Sequence, residues 1–454
     1  MNKKIIMLKT LFLRSHLISR RIPLLISIIA LYNKEIREKS KCVCAAIFFS
    51  VLLLSCQQRN VAQERQKDSQ WRGENRDGVF NETGLLKEWS PDGPELLWYY
   101  EGLGGGYSSA AIANGKLFIT GLDEDDLILF VFDLTGELLT KKAVGKEWTG
   151  SQPGPRSTIT VRDGKLYIYT ALGKLFCLEE TTLNEVWSRE LVAEFGARNI
   201  QWKFTESPLI VGEKIFITPG GEEHNFIALN NKTGELIWSS PGKGSKSAYC
   251  SPKFIAGYSV PIVVTSTADY IIAVNADTGE MLWDFPRTNK WGSHPNTPHY
   301  HNGMIFSTSG HGNGSVMLRL IDGGKAVEQV WHNTEMDNEW GGAARIGNYI
   351  YGAGHTKPNW YCLDWNTGET KYAVREIGPS SVIVADGMLY VYSMKGNVHL
   401  VKPNPDNLEI VSSFAITMGT ETHITHPVIY DGVLYIRHGN ALMAYKMKLL
   451  IHNR

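Results

Sequence analysis

One turn recurs eight times along this chain, and its period limits the possible folds more than any other feature. Glycine marks it at Gly115, Gly164, Gly212, Gly257, Gly303, Gly347, Gly387 and Gly432, with successive spacings of 49, 48, 45, 46, 44, 40 and 45 residues. An apolar strand follows each mark, then a second strand, and often Thr-Gly-Glu-x-x-Trp. In the third repeat, residues 207–211 read as an inner strand, 214–218 as the second, 225–230 as the third and 236–238 as the outer strand. Glycine at the intervening turns permits the positive φ that tight hairpins need. β-Branched and aromatic residues dominate and turn signals return every few residues, which argues against helices. A period of this size with about four short strands per unit is that of a β-propeller.

The last repeat is incomplete: residues 423–448 supply three strands and no Trp strand. Near the start, Glu95-Leu96-Leu97-Trp98-Tyr99-Tyr100 reads as an outer strand with no blade before it. Joining the two predicts an all-β, eight-bladed propeller of four-stranded antiparallel blades, its ring closed by an N-terminal outer strand so that no open seam remains. Trp187, Trp238, Trp283 and Trp331 close repeats two to five and are expected to dock between blades. Tyr372 takes that place in repeat six, and repeats one and seven have no aromatic there.

Residues 1–56 read as an export region, 57–94 as tether and arm, and 95–448 as the propeller. The apolar runs at 22–32 and 43–55 are each shorter than the roughly 20 residues a membrane-spanning helix needs. The second follows Lys34, Arg37, Lys39 and Lys41 and ends in Leu53-Leu54-Ser55-Cys56, the layout of a bacterial export signal. That ending resembles the lipobox of bacterial lipoproteins, which implies lipidation of Cys56 and attachment to a membrane facing the periplasm. Gln57 after it, in place of an inner-membrane-retaining aspartate, favours the outer membrane. Later in the chain only Cys177, Cys250 and Cys362 occur, a set too sparse for a disulfide framework, and Cys177 and Cys362 are expected to be small buried fillers. Lys+Arg and Asp+Glu both total 46, so no basic field exists to attract nucleic acid.

Ala228-x-Asn230-x-x-Thr233-Gly234-Glu235-x-x-Trp238 and Ala273-x-Asn275-x-x-Thr278-Gly279-Glu280-x-x-Trp283 resemble the tryptophan-docking repeat of pyrroloquinoline-quinone (PQQ) type propellers. Trp71-Arg72-Gly73-x-Asn75-Arg76-Asp77-Gly78 is similar to the opening of an exported bacterial subfamily. Its members are called polyvinyl-alcohol-dehydrogenase-like, or are likened to the propeller lipoprotein of outer-membrane barrel assembly. The resemblance covers about residues 70–447. In its enzymes it implies PQQ on the ring axis against a Trp and beside a vicinal Cys pair, with Ca²⁺ held by Glu and Asn and an Asp as base. After Cys56 this chain has no adjacent cysteines, and no such Glu/Asn/Asp set matches residue by residue; no Cys-x-x-Cys-His haem motif occurs either. The repeat carries over; the catalytic set does not.

In a propeller the starts of the inner strands, and the loops before them, line one mouth of the central channel. Those places supply Arg156, Trp202, Glu206, Tyr249, His294, Asn296, Trp340 and His423, aromatic walls with a few placed polar groups, as a small-molecule site requires. The competing reading is that these groups satisfy one another and ordered water. Histidines crowd the later repeats, His311 among them in a glycine-rich loop, but no compact ligand motif gathers them and no metal site is assigned. The expected role is a monomeric, membrane-tethered binding or scaffold module for a protein partner or small ligand. A PQQ- and Ca²⁺-dependent dehydrogenase is the alternative, and a hydrolytic or lyase activity in the same funnel is the third reading.

Overall fold

The computed structural model describes residues 68–448, so the export region and Cys56 lie outside the described residues. Eight four-stranded antiparallel blades follow one another along the chain. Seven run from inner to outer strand as Ala111–Ala113 to Leu138–Lys146, Thr160–Arg162 to Glu185–Glu190, Leu209–Val211 to Leu236–Ser240, Lys253–Ile255 to Met281–Pro286, His299–His301 to Ala326–Asn333, Ala344–Ile346 to Thr370–Val374 and Ser380–Ala385 to Glu409–Ala415. The eighth holds Val428–Tyr430, Val433–His438 and Ala441–Lys446, and its outer strand is the N-terminal Leu96–Glu101, paired antiparallel with Ala441–Lys446. The ring closes as expected. Two short elements were not anticipated: a helix at Leu191–Phe195 that buries Leu191 and Phe195 in the core cluster shared by the second and third blades, and a 3-10 turn at Asp322–Gly324.

The inner hairpins explain the recurring glycine. Asn114 and Gly115 have φ of 52° and 74°, and Asp163 and Gly164 have 48° and 71°. Positive φ at both central residues is the type I′ geometry whose twist suits a two-residue hairpin. The second and third strands are buried on both faces, because neighbouring blades cover them. Cys177 and Cys362 are buried there with their thiols unoxidised.

The Thr-Gly-Glu glycine has a second task. A Cβ on Gly279 would lie 2.5 Å from the ring of Trp238 in the preceding blade, and one on Gly234 would lie 2.7 Å from Trp187. Each indole thus lies flat on the next blade's turn and donates its Nε1–H to a carbonyl there: Trp187 to Asn231, Trp238 to Ala276 and Trp331 to Trp365, at 3.0–3.1 Å. Trp98 makes the same dock across the closure, on Gly136 and the carbonyl of Leu134. In the fifth blade Asp322–Gly324 replaces the turn, and Trp283 Nε1 has no partner among the described residues. The seventh blade has Ser412, not an aromatic, at the docking position, and the arm supplies a ring: Trp89 packs on Phe414 and Tyr390 in the cluster shared with the eighth blade.

Residues 68–80 lie across the axis of the ring. Ser69 pairs with Val161 and accepts the Ile112 amide, in the first two blades. Arg76, 2% exposed, donates to the carbonyls of Ser207 and Pro208 in the third. Lys253 of the fourth donates to the Asn75 carbonyl. Arg72 donates to Gly341 and Ala343 just before the sixth and meets His426 before the eighth, while Val79–Phe80 pairs in parallel with the seventh. A segment that touches the inner edge of seven blades can only sit on the axis. The Trp-Arg-Gly-x-Asn-Arg-Asp-Gly stretch is a plug, and it turns a channel into a closed-bottomed funnel.

Candidate functional site

Above the plug is a cavity of about 410 Å³. Its wall is built from the links that precede the inner strands, each of which arrives from the rim of the previous blade. Tyr107 comes from the first link, Gln152 and Arg156 from the second, Trp202 and Thr205 from the third, Tyr249 and Ser251 from the fourth, Pro295 and Asn296 from the fifth, Glu339, Trp340 and Gly341 from the sixth, and Ile424 and His426 from the eighth. Trp71 of the plug reaches it from the axis, and His311 and His355 project from the hairpins after the second strands of blades five and six.

Of the residues expected from sequence, Arg156, Trp202, Tyr249, Asn296 and Trp340 line this cavity. Arg156 is fixed by loop carbonyls, donating to Trp202, to Ser151 at 2.9 Å and to Gln152 at 2.6 Å. Tyr249 Oη accepts the Trp202 amide at 2.7 Å, and burial holds its phenol well above the ordinary range. Its own backbone sits at φ 73°, a conformation that costs free energy and that surrounding structure must impose. Asn296 donates to the carbonyls of Thr308 and Asn338, which binds link five to link six.

Glu206, His294 and His423 are placed elsewhere. Glu206 is fully buried behind the wall, where its two oxygens accept the Thr218 amide at 3.1 and 3.0 Å and burial pushes its carboxyl up to about 8. His294 lies beneath link five facing the Ala268 carbonyl, and burial, reinforced by Arg287, lowers it to about 3. His423 meets Tyr392 Oη at 2.5 Å and stacks on His438 at 3.6 Å between centroids; burial and then His438 lower it to about 4. The links have no regular structure, so neighbours in one link part ways: Pro295 and Asn296 line the cavity while His294 lies beneath it.

One cluster on the wall was not gathered by sequence reading. A ring nitrogen from each of His311 and His355 and a carboxylate oxygen of Glu339 lie within 4.8 Å of one another. His311 Nε2 stands 3.4 Å from Glu339 Oε1, yet the contact is too poorly aligned for a hydrogen bond, and His311 Nε2 and Glu339 Oε2 are both buried without partners. Ser293 Oγ donates to Glu339 Oε1 at 2.6 Å. Beneath them Asp337, 1% exposed, accepts the amides of Gly312, His355 and Thr356 and so ties the two histidine hairpins together. Gly310 is glycine because a Cβ there would collide with Glu339 Oε2. Trp291 and Trp340 present edges to His311 and His355 at 6.4 and 6.1 Å. A signal for the pair did exist: each histidine stands eight residues after its marker glycine, Gly303 or Gly347, so the repeat itself puts them at equivalent places one blade apart.

A family model described as outer membrane protein assembly factor BamB matches residues 123–374 and 254–407. Among solved structures, BamB from Moraxella catarrhalis is similar at 14% identity and a TM-score of 0.57, over 78% of this chain and 100% of that one. The quinohemoprotein alcohol dehydrogenase ADHIIG from Pseudomonas putida HK5 is similar at 14% identity and a TM-score of 0.57, over 85% and 81%. The computationally designed Ika8 protein is similar at 13% identity and a TM-score of 0.55, over 78% and 100%. At these identities the likeness is one of fold. No curated protein sequence matches the chain.

Proposed function

Because the chain belongs to the PQQ-like propeller family described as outer membrane protein assembly factor BamB, a fold that supports binding and scaffold modules, we propose that it is a binding module that captures a small polar molecule in its axial funnel. One observation carries the reading: the plug floors the funnel, and the enclosed wall alternates aromatic rings (Trp71, Trp202, Tyr249, Trp340) with placed polar groups (Gln152, Asn296, Glu339, His355). Flat rings beside hydrogen-bonding groups suit a sugar-sized polyol, whose ring faces are apolar and whose edges are hydroxyls. A lipid on Cys56 would hold the module, acting as a monomer, at the periplasmic face of the outer membrane. Among the described residues no helix is long and apolar enough to cross a membrane.

The donor set of the cavity does not fit PQQ. PQQ carries three carboxylates, and Arg156, the one guanidinium on the wall among the described residues, is already engaged by three carbonyls. Glu339 would stand against the same anion, and Cys250, a free thiol, has no adjacent cysteine in the sequence to form a vicinal pair. The dehydrogenase reading therefore has the blades without the cofactor cradle.

A scaffold role on the rim has its own support in exposed apolar side chains on the outer strands, Leu97 and Tyr99 in blade eight and Leu236 and Ile237 in blade three. The two readings separate in one experiment. Tryptophan fluorescence of the full chain, titrated with a panel of mono- and disaccharides, is expected to quench saturably for at least one sugar. Trp202→Ala and Trp340→Ala should each weaken that binding about tenfold, as loss of a stacking ring does. No saturable response across the panel sinks the funnel reading and leaves the rim.

A further inference from the structure

Two buried, unpartnered polar atoms on the funnel wall call for a cation between them, and we propose that His311, Glu339 and His355 form a divalent transition-metal site whose remaining coordination positions open into the cavity. The ligand class that follows rests on the funnel reading; the metal site itself does not.

The geometry is close to what a metal requires. Bonds of roughly 2.1 Å to imidazole nitrogen and carboxylate oxygen place two ligands of a tetrahedral ion about 3.4 Å apart. His311 Nε2 stands 3.4 Å from the Glu339 carboxylate at Oε1, the oxygen that Ser293 also holds, and one donor atom from each of His311, Glu339 and His355 lies within 4.8 Å of the others. Without an ion the arrangement is costly. Glu339 is only 8% exposed, its Oε2 accepts nothing, and the imidazole nitrogen beside it makes no aligned bond. Buried polar atoms left this way each cost about 1–3 kcal/mol. A cation satisfies both at once.

The supporting layer is that of a positioned site. Ser293 holds one Glu339 oxygen and leaves the other free. Asp337 fixes both histidine hairpins through their backbone amides. Such outer contacts orient ligands and are a regular part of metal centres. Two imidazoles and one carboxylate favour Zn²⁺, Fe²⁺ or Co²⁺ over Ca²⁺ or Mg²⁺, which prefer oxygen throughout. His355 adds a coupling: its Nδ1 accepts the His311 amide at 3.1 Å, so the lone pair a metal needs is engaged by the neighbouring hairpin. Loading exchanges that amide for the ion and shifts the hairpin that carries His311. With three protein ligands the open positions face the cavity, where an oxygen donor, a carboxylate or a vicinal diol, completes the shell.

Cobalt is the probe. Chelator-stripped full-length protein in mild detergent, titrated with Co²⁺, is expected to develop visible d–d absorption saturating at one ion per chain, with Zn²⁺ competing. His311→Ala, His355→Ala and Glu339→Gln should each weaken binding about 100-fold or more, beyond the effect of losing an outer contact. His301→Ala, outside the cavity, should leave it unchanged, and metal-free melting curves check that each variant is folded. Acetohydroxamate, a bidentate oxygen ligand, should then shift the cobalt spectrum. Absence of a one-to-one cobalt spectrum, or its persistence in all three variants, overturns the site; a spectrum blind to acetohydroxamate overturns its openness. Saccharide titrations repeated on stripped protein keep the two readings apart, since sugar binding without cobalt binding would sink the metal alone.

Discussion

At the scale of single residues, glycine does two separable things in this ring. Gly115 has φ 74° and nothing within 4 Å of where a Cβ would be, so it serves the hairpin alone. Gly279 has φ 76° and also carries the ring of Trp238 at 2.5 Å from that point. Gly115→Ala is expected to cost about 1 kcal/mol through backbone strain. Gly279→Ala adds displacement of an inter-blade indole and should cost about 3 kcal/mol in total. Thermal melts of the two variants check this, and equal losses would remove the docking account. The sequence pattern made the turns and the docking rings readable because both repeat. The funnel was readable only in part. Arg156, Trp202, Tyr249, Asn296 and Trp340 were found by their position before an inner strand, whereas Glu206 and His294, chosen by the same rule, point into the body of the ring. A link without regular structure has no period from which to read its facing.

At the scale of elements, the decisive pieces are the two that come from outside the repeats. Leu96–Glu101 completes the eighth blade, and its Trp98 docks on Gly136 as the other blades' tryptophans do. Deleting residues 95–101 would expose the edge of Ala441–Lys446 and open the ring between its first and last blades. That variant is expected to be insoluble or to melt without cooperativity. Trp98→Ala, which keeps the strand and removes the dock, should stay folded and lose about 3 kcal/mol. A soluble, cooperatively melting deletion would refute closure by this strand. The strand was legible because an unpaired outer strand and a missing one are complementary gaps in a single pattern. The plug was not. Its Trp-Arg-Gly-x-Asn-Arg-Asp-Gly motif is distinctive, but apart from one bond from Arg72 to the Asp77 carbonyl, Arg72 and Arg76 donate to carbonyls 131 to 271 residues away. Burial of two guanidiniums can be tolerated only where a ring of converging carbonyls already exists, and nothing local announces that. The His311–Glu339–His355 cluster was missed for a related reason, since its members come from two hairpins and the link between them.

At the scale of the whole molecule, closing eight blades around a plug buries titratable groups in numbers that set the pH response. His294, His299, His399, His423 and His426 are all held below the ordinary histidine value of 6.5, with burial the largest cause in each. A depressed histidine contributes stability that is present above about pH 6.5 and lost as pH falls towards its folded value, about 3 for His294 and about 4 for His399 and His423. Glu147 and Glu206 act in the opposite sense. Burial raises them from 4.5 to about 7 and about 8, so their contribution is present below about pH 4.5 and lost as pH rises through 7 to 8. Near pH 6 the five histidines outweigh the two carboxyls, and stability rises with pH. Above pH 7 unfolded histidine is already mostly neutral, the carboxyl terms dominate, and stability declines. The two slopes balance near pH ~7, where the melting temperature is expected to peak. Glu206→Gln keeps the buried polar shape without the titration, so it should flatten the decline between pH 7 and 9 and leave the acid limb intact. Calorimetric scans from pH 5 to 9 on both proteins decide it. A maximum below pH 6, or an alkaline limb indifferent to Glu206→Gln, would mean that the buried carboxyls do not govern the response.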